Sequence, residues 1–282
     1  MTAEFTADRE ALLAAAREPG RFDADTAVVA VDGHFAATLD PRWNGFGPNG
    51  GYLAAVLLRA MAMAVDDPLQ LPRSLTVHYQ RAAAPGLARI DVEVAKRGRN
   101  VTSVEARLRQ DGRATVSAMG AFITAGSGPA FSELPMPVLT PPEEMAPYAF
   151  DSVRMPPFAA CWEGRPVLGK PFSGGDEAMV AGWCRLAEPR PPDALSIVAM
   201  TDAIIPSITP RLSGPTHLMP TIDLTVHLPN PLPELPPEAQ FAVMFRTGIA
   251  AGGVCVEDGW VWTRDGLLVA QSRQLALLVA QG

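Results

Sequence analysis

Two polar residues of this chain occupy positions where the surrounding pattern predicts a buried, apolar face. The first is Asp202, which shares one side of a predicted helix with Leu195 and Val198 because the three follow helical spacing. A carboxylate on such a face loses hydration, which raises its pKa and allows it to act as a general base. The competing interpretation is a half-solvated carboxylate in a frayed final turn, capped locally and without a catalytic role.

The second polar residue is Gln274, in the last predicted strand. Because side chains alternate along a strand, Gln274 lies on the same face as Ala270 and Ala276, and it is the one long polar side chain on that face. An amide in this position can hold a water molecule or a carboxylate. The alternative is a core glutamine that is hydrogen-bonded to backbone groups.

A glycine-rich loop precedes the first predicted helix and offers a third kind of chemistry. The backbone N–H groups of Gly50, Gly51 and Tyr52 lie where the helix begins, and such groups bind anions or a developing oxyanion. Residues 45–50 also fit the pattern G-x-G-x-x-G of dinucleotide-binding proteins. The next strand lacks the acidic residue that would bind a ribose and leads into an antiparallel meander, so we reject a dinucleotide site.

The chain contains an internal repeat. Residues 75–78 (Leu-Thr-Val-His) recur at 224–227, an offset of 224 − 75 = 149, and the Asp-Gly turn at 111 recurs at 265, an offset of 265 − 111 = 154. Two similar units are therefore predicted, with a site where they meet. The first copy has Leu53 at the position equivalent to Asp202 (202 − 149 = 53), so we expect one site per chain. The repeated histidines suit a structural role better than a catalytic one.

The elements that must position these residues follow the same plan in each copy. In the first copy, two short strands within residues 22–39 lead to a helix predicted at 51–65, and an antiparallel meander follows with strands at 75–79, 88–96, 101–110 and 113–124. The second copy repeats this plan, with its helix predicted at 193–205. Eight prolines between about 126 and 160 indicate a semi-rigid linker on the surface. The predicted fold class is α+β, with units at 22–126 and 161–282 and the linker at 127–160. Residues 1–20 are predicted to form a short helix or a loose arm.

Composition and the absence of certain motifs exclude several functions. A net charge of −7 without a basic stripe argues against nucleic-acid binding. Three cysteines without metal-ligand spacing, and no His-Glu-x-x-His or Cys-x-x-Cys motif, argue against a metal site, and no cofactor is expected. The N-terminus is acidic, and the longest apolar stretch is interrupted by Arg59 and too short to cross a bilayer. We therefore expect a cytoplasmic protein without a membrane partner.

One compact basic cluster, residues 96–99, is the candidate contact for an anionic ligand. Arg97 and Arg99 would bind phosphate groups of such a ligand. The alternative is an ordinary solvated turn.

Six short stretches carry a family resemblance: residues 47–52, 97–102, 110–113, 200–202, 221–223 and 265–274. They resemble the acyl-CoA thioesterase II (TesB-like) group of the hot-dog superfamily in its double hot-dog form. The resemblance covers nearly the whole chain from about residue 22. It implies two antiparallel sheets, each wrapped around one long helix, and hydrolysis of acyl-CoA or another acyl thioester to free acid and thiol.

The resemblance also implies that Asp202, Thr221 and Gln274 hold the water molecule that acts as nucleophile. Strict alternation puts Thr221 on the polar face of its strand, so it reaches the site only if the strand start after Pro220 is twisted or bulged. Residues 203–206 are more apolar than is usual in the family, which indicates a different substrate or a loss of activity.

Two other functions compete with the hydrolase. A non-catalytic module that binds an acyl group or acyl-CoA would keep the cleft without turnover. A hot-dog hydratase or dehydratase ranks last, because neither predicted helix contains the histidine that this chemistry uses. The sequence leaves the oligomeric state open, a homo-oligomer included.

Overall fold

The computed structural model of the protein describes residues 21–280, so the predicted helix or arm at 1–20 lies outside the described residues. The helices are α1 (Arg21–Asp25), α2 (Gly50–Val65) and α3 (Ala194–Met200). The strands of the first half are β1 (Val28–Val31), β2 (His34–Leu39), β3 (Gln70–Tyr79), β4 (Gly86–Arg97), β5 (Val101–Gln110) and β6 (Arg113–Thr124). The strands of the second half are β7 (Trp162–Leu168), β8 (Met179–Leu186), β9 (His217–Leu218), β10 (Thr221–His227), β11 (Phe241–Ala251), β12 (Val254–Trp262), β13 (Leu268–Leu277) and β14 (Val279–Ala280). Short 3₁₀ helices lie at Pro41–Trp43, Pro142–Glu144, Pro157–Cys161 and Thr209–Arg211.

In the described part of the chain, twelve strands form one continuous antiparallel sheet in the order β1-β2-β4-β5-β6-β3-β10-β13-β12-β11-β8-β7. Read from each edge toward the centre, the two halves follow the same order of strands. β9 and β14 pair separately, outside this sheet. The repeat in the sequence is therefore a repeat in topology, with the copies joined edge to edge.

The two copies meet where β3 pairs with β10. Thr76 lies directly opposite Thr225 in this pairing, and their Oγ1 atoms are 3.1 Å apart. These threonines are equivalent in the repeat, because 225 − 76 = 149. A pseudo-twofold axis therefore passes close to this pair and relates the first half of the sheet to the second.

The long helix α2 is buried among the strands of the first half. Asn49 caps its start by accepting a hydrogen bond from the Tyr52 N–H, and Asp66 ends it in a left-handed conformation with φ of 49°. Almost every residue from Gly51 to Met61 is buried, and Arg59 is the exception. The predicted helix is confirmed in place and type, and its apolar composition reflects burial on nearly all sides.

The second helix is shorter than predicted. Asp193 and Ser196 form a capping box at its start, but the helix ends at Met200 instead of continuing to 205. The hydroxyl of Thr201 donates to the carbonyl of Val198 at 2.7 Å, which satisfies a carbonyl of the last turn and helps to end the helix. The expectation of a long helix in both halves is therefore wrong for the second half.

The strand predictions agree with the structure best at the hairpins. β5 and β6 have the predicted bounds, on either side of a turn in which Asp111 and Gly112 both have positive φ. β3 begins at Gln70, five residues before the predicted start at 75. Residues 22–25, predicted as strand, belong to the short helix α1. None of the helices within residues 21–280 is long and apolar enough to span a membrane.

The proline-rich segment lies along the outer face of the second half of the sheet. The indole N–H of Trp183 donates to the Thr140 carbonyl at 2.8 Å, and that of Trp262 donates to the Leu134 carbonyl at 3.1 Å. Met136 packs against the same small apolar cluster, on the side of the sheet away from the main core. Two indole groups therefore fasten a segment that has no strand of its own.

We expect Trp183→Phe to loosen this segment. The ring contacts are largely kept, but the Thr140 carbonyl loses its partner, so the free energy of unfolding should fall by about 1 kcal/mol. Proteolytic cleavage between 126 and 160 should also accelerate. Trp260→Phe is the matched control, since the buried Trp260 N–H has no acceptor within residues 21–280. Chemical denaturation that gives equal losses for both variants would contradict the anchoring role of the hydrogen bond.

Candidate active site

Asp202 lies just beyond the end of α3, where the second copy meets the start of α2 in the first copy. Its Oδ2 accepts a hydrogen bond from the Gly51 backbone N–H at 3.0 Å and another from Asn49 Nδ2 at 3.0 Å. Asn49 Nδ2 also contacts the Asp202 carbonyl at 2.9 Å. The carboxylate therefore joins the two copies, at the kind of position the repeat predicts.

Two glycines allow this close approach. A Cβ atom on Gly51 would lie 2.5 Å from the Ala199 carbonyl oxygen, and one on Gly50 would lie 2.9 Å from Asp202 Oδ2. Side chains at either position would push α3 away from α2. The glycines are needed here for space, because neither has a positive φ.

The environment of Asp202 raises its pKa to about 7. Burial is the largest cause, and the nearby carboxylate of Glu257 adds to it. The hydrogen bond from the Gly51 N–H opposes both effects, as does the positive end of the α2 dipole. Asp202 is only partly buried by its surface area, so ligand or solvent can still reach it. A carboxylate with these properties is a competent proton acceptor near neutral pH.

Tyr79 closes one side of the Asp202 environment. Its hydroxyl donates to the Gly50 carbonyl at 2.7 Å. Burial, and then the charge of Asp202, raise its pKa well above the ordinary value, so the phenol stays protonated. Tyr79 therefore supports the α2 start without competing for the role of base.

Thr221 and Gln274 are hydrogen-bonded to each other. A register irregularity lies between Thr221 and Asp223 in the pairing of β10 with β13, which is the bulge that the sequence requires for Thr221 to turn inward. The Thr221 hydroxyl donates to Gln274 Oε1 at 3.0 Å. Gln274 is buried on the inner face of β13, together with Ala270 and Ala276, as alternation predicts.

Glu257 is a polar residue of the site that our sequence analysis missed. It accepts a hydrogen bond from Gln274 Nε2 and two more from Ser207. The available signal was strand alternation, which places Glu257 on the buried face of β12 with Cys255 and Val261. Glu257 is hydrogen-bonded to Gln274, and its charge acts on Asp202. No direct hydrogen bond joins Asp202 to Thr221 or Gln274.

The backbone N–H groups predicted to bind an oxyanion already have acceptors. The Gly50 and Gly51 N–H groups both hydrogen-bond to the Asp202 carboxylate, and the Tyr52 N–H donates to Asn49 Oδ1 at 3.0 Å. The Tyr52 side chain is fully buried, and its hydroxyl donates to the Asp25 carbonyl at 2.6 Å. In this conformation Gly51 and Tyr52 serve the helix start and Asp202, because the carboxylate and the Asn49 cap satisfy the free donors that every helix start leaves.

Arg97 lies at the opposite end of α2 from Asp202. Its guanidinium donates to the carbonyl of Val65 at 2.7 Å and to that of Ala64 at 3.1 Å. Since α2 has 16 residues, the two ends are about 24 Å apart. Arg97 therefore caps the C-terminal end of α2. Arg97 and Arg99 are both exposed, and both lie apart from the Asp202 environment.

The symmetry-related position in the other copy lacks this polar cluster. The counterparts of Thr221 and Tyr79 are Pro72 (221 − 149 = 72) and Leu228 (79 + 149 = 228), which line a cavity of about 580 Å³. The caps that start the helices differ by 193 − 49 = 144, so the counterpart of Asp202 is Leu58 (202 − 144 = 58) and not Leu53. Residues 21–280 contain no group of three or more His, Cys, Asp or Glu side chains that could hold a metal ion.

Models of two protein families match this chain. They describe an acyl-CoA thioesterase N-terminal domain, which matches residues 39–124, and an acyl-CoA thioesterase C-terminal domain, which matches residues 140–278. An uncharacterized protein of Mycobacterium tuberculosis is 27% identical over 285 residues, covering 88% of this chain and 91% of the relative.

Solved structures with the same overall shape include three bacterial proteins. A hot-dog protein of unknown function from Alicyclobacillus acidocaldarius has a TM-score of 0.85 at 24% identity, covering 94% of this chain and all of the other. A protein provisionally named thioesterase II, from Thermobifida fusca, has a TM-score of 0.80 at 29% identity, with coverages of 92% and 97%. The acyl-CoA thioesterase II TesB2 of Mycobacterium marinum has a TM-score of 0.74 at 19% identity, with coverages of 93% and 99%. The protein therefore has a hot-dog fold.

We expect Arg97→Ala to destabilise the protein. The last carbonyls of α2 lose a charged donor, so the free energy of unfolding should fall by roughly 1 kcal/mol. Arg99→Ala serves as the control. Arg99 lies two residues after Arg97, and the substitution removes the same charge from an exposed side chain. Equal midpoints of urea unfolding for the two variants would contradict the capping role.

The raised pKa of Asp202 predicts how the free energy of unfolding depends on pH. The folded state holds this proton up to about pH 7 and the unfolded chain releases it near 3.8, so wild-type stability should fall as pH rises between these values. Asp202→Asn cannot titrate. The free energy of unfolding of Asp202→Asn should therefore rise relative to that of the wild type from pH 4 to 7. Above pH 8 the difference between the two proteins should be constant. Parallel stability curves for the two proteins would show that the pKa is not raised.

Proposed function

Because the chain belongs to the acyl-CoA thioesterase family, we propose that it hydrolyses acyl-CoA or another acyl thioester, with Asp202 as general base. The observation that carries this proposal is the position of Asp202. It is a partly buried carboxylate with a pKa of about 7, held at the junction of the two copies by donors from the first. A base with a pKa near the working pH is both ionised and able to accept a proton.

The reaction follows from this base. Asp202 takes a proton from a water molecule, whose oxygen attacks the thioester carbonyl carbon. The tetrahedral intermediate then collapses with cleavage of the C–S bond, and the proton held by Asp202 passes to the leaving sulfur. The products are the free acid and the thiol, and the carboxylate returns to its starting form.

Thr221 and Gln274 are proposed to orient the water and the developing oxyanion. The Gln274 amide has two N–H donors. One is directed at Glu257, and the other is available to a ligand. The Thr221 hydroxyl uses its hydrogen for Gln274 and keeps oxygen lone pairs that can accept a hydrogen bond from water. The pair therefore presents one donor and one acceptor in fixed positions.

The remaining N–H of Gln274 is proposed to donate to the oxyanion, in place of the N–H groups at the start of α2. The Gly51 and Tyr52 N–H groups are engaged with side chains, so an oxyanion could use them only by displacing Asp202 or Asn49. We also propose that, of the two arginines predicted to bind phosphate, only Arg99 is free to do so, because Arg97 caps α2.

We expect Asp202→Asn to keep the fold and to lower thioester hydrolysis by roughly 10²- to 10⁴-fold, the range for a removed general base. Free thiol release from a series of acyl-CoAs of increasing chain length measures this and identifies the preferred acyl group. In the wild type, kcat/KM should rise with pH and level off above about 7, as Asp202 ionises. Asp176→Asn makes the same change in an exposed loop and is the matched control.

Two outcomes would contradict this proposal. Undiminished hydrolysis by Asp202→Asn would remove Asp202 from the mechanism. A wild-type protein that binds acyl-CoA, as measured by calorimetry, and releases no thiol would instead be the non-catalytic binding module.

A further inference from the structure

Glu257 is a buried acidic residue that the mechanism above does not use. Its side chain is 4% exposed. Ser207 donates to it from both the backbone N–H and the hydroxyl, the latter at 2.6 Å, and Gln274 donates from Nε2. Burying a carboxylate is costly unless donors compensate for lost hydration, and here three are provided. Such an arrangement calls for an explanation other than core packing.

The first copy shows that the fold does not need this carboxylate. In the sheet, Gln274 is paired with Glu257 on one side and with Leu224 on the other. The equivalent glycine of the first copy, Gly120 (274 − 154 = 120), is paired with Val104 and Leu75. Val104 therefore stands where the second copy has Glu257, and both strands form the same sheet.

Glu257 holds together the two segments that carry the proposed catalytic groups. Ser207 lies five residues after Asp202, on the segment that leaves α3, whereas Gln274 lies on β13. One carboxylate binds both, through Oε2 and Oε1 respectively. Moving Glu257 would therefore move Asp202 and Gln274 relative to each other.

Glu257 also decides which way the Gln274 amide points. Burial raises the pKa of Glu257, and the hydrogen bonds from Ser207 and Gln274 oppose that rise by stabilising the carboxylate. Both Ser207 groups donate to Oε2, so Glu257 acts here as an acceptor. An ionised carboxylate can only accept hydrogen bonds, so the amide nitrogen must face Glu257. The amide oxygen then faces the Thr221 hydroxyl, which donates to it at 3.0 Å. Because Glu257 fixes the amide nitrogen and Thr221 fixes the amide oxygen, the direction of the second N–H of Gln274 is fixed as well.

We propose that Glu257 is a positioning residue for thioester hydrolysis, which holds the Asp202 segment and the Gln274 amide in their productive arrangement. This inference rests on the proposed function. Glu257 does not contact the substrate. Its hydrogen bonds act through Ser207 and Gln274, and its charge acts on Asp202 across the site.

The electrostatic part of this role has a definite sign. The Glu257 charge raises the pKa of Asp202, second only to burial among the raising effects. Asp202 also faces Tyr79 from β3 and the donors Asn49, Gly50 and Gly51 from the start of α2. Glu257 itself has Asp258 and Cys255 as titratable neighbours on its own strand. Removing the Glu257 charge should therefore lower the pH at which Asp202 titrates.

The test is Glu257→Gln, which keeps the shape and removes the charge and one acceptor. We expect kcat for acyl-CoA hydrolysis to fall by about 10²-fold, as a small misplacement of reacting groups can produce. KM should change by less than about twofold, since groups that bind the substrate are untouched. The pH at which Asp202 titrates, followed by NMR of ¹³C-carboxyl aspartate and assigned with Asp202→Asn, should move down. Glu105→Gln, the same change at a partly exposed residue of β5 that pairs with Arg107, should match the wild type.

Glu257→Asp separates position from charge and replaces Glu257→Gln if that variant fails to fold. The shorter side chain keeps the charge but cannot reach both Ser207 and Gln274. We expect kcat to fall while Asp202 titrates as in the wild type.

Wild-type kcat in either Glu257 variant would overturn the inference. A loss of kcat in Glu257→Gln without a shift in the Asp202 titration would overturn it as well, because Glu257 would then not face Asp202. If Asp202→Asn is inactive and Glu257→Gln is fully active, the positioning role of Glu257 is rejected and the proposed function stands. A wild type that hydrolyses no acyl thioester rejects the proposed function, and the Asp202 titration then decides by itself whether Glu257 acts on that carboxylate.

Discussion

The pairing of β3 with β10 is the constraint on which the rest of this structure depends. It sets Thr76 against Thr225 and so places a pseudo-twofold axis between the two copies. An axis in that position brings the start of α2 to the end of α3, and there is room for the contact only because Gly50 and Gly51 have no side chains. The carboxylate of Asp202 then completes the start of α2, where unsatisfied N–H groups would otherwise need water.

Symmetry in the backbone is combined with asymmetry in the side chains. The first copy has Pro72, Leu58, Val104 and Gly120 where the second has Thr221, Asp202, Glu257 and Gln274. Buried polar groups destabilise a core unless each finds partners, so a complete network in one copy is less costly than partial networks in both. The apolar copy can support the fold, and the polar copy can carry the chemistry.

Opposing electrostatic effects meet at Asp202. Burial and the charge of Glu257 favour the protonated form, while the N–H groups and dipole of α2 favour the carboxylate. The result is a pKa of about 7, which neither set of effects alone would produce. The same helix start thus serves two purposes, because it holds the carboxylate in place and keeps it ionisable near neutral pH.

The sequence alone determined the repeat, the hairpins, the buried helix α2 and the inward face that carries Gln274, because periodicity and turn residues are local properties of the chain. It also indicated Asp202 as a residue in a buried environment, although the helix that suggested this ends before reaching it. Only the tertiary structure decided that Arg97 caps α2, that Asp202 and Asn49 occupy the donors of Gly51 and Tyr52, and that Glu257 joins Ser207 to Gln274. These contacts join residues far apart in the chain, and a local pattern specifies which face a side chain occupies but not which distant partner it meets there.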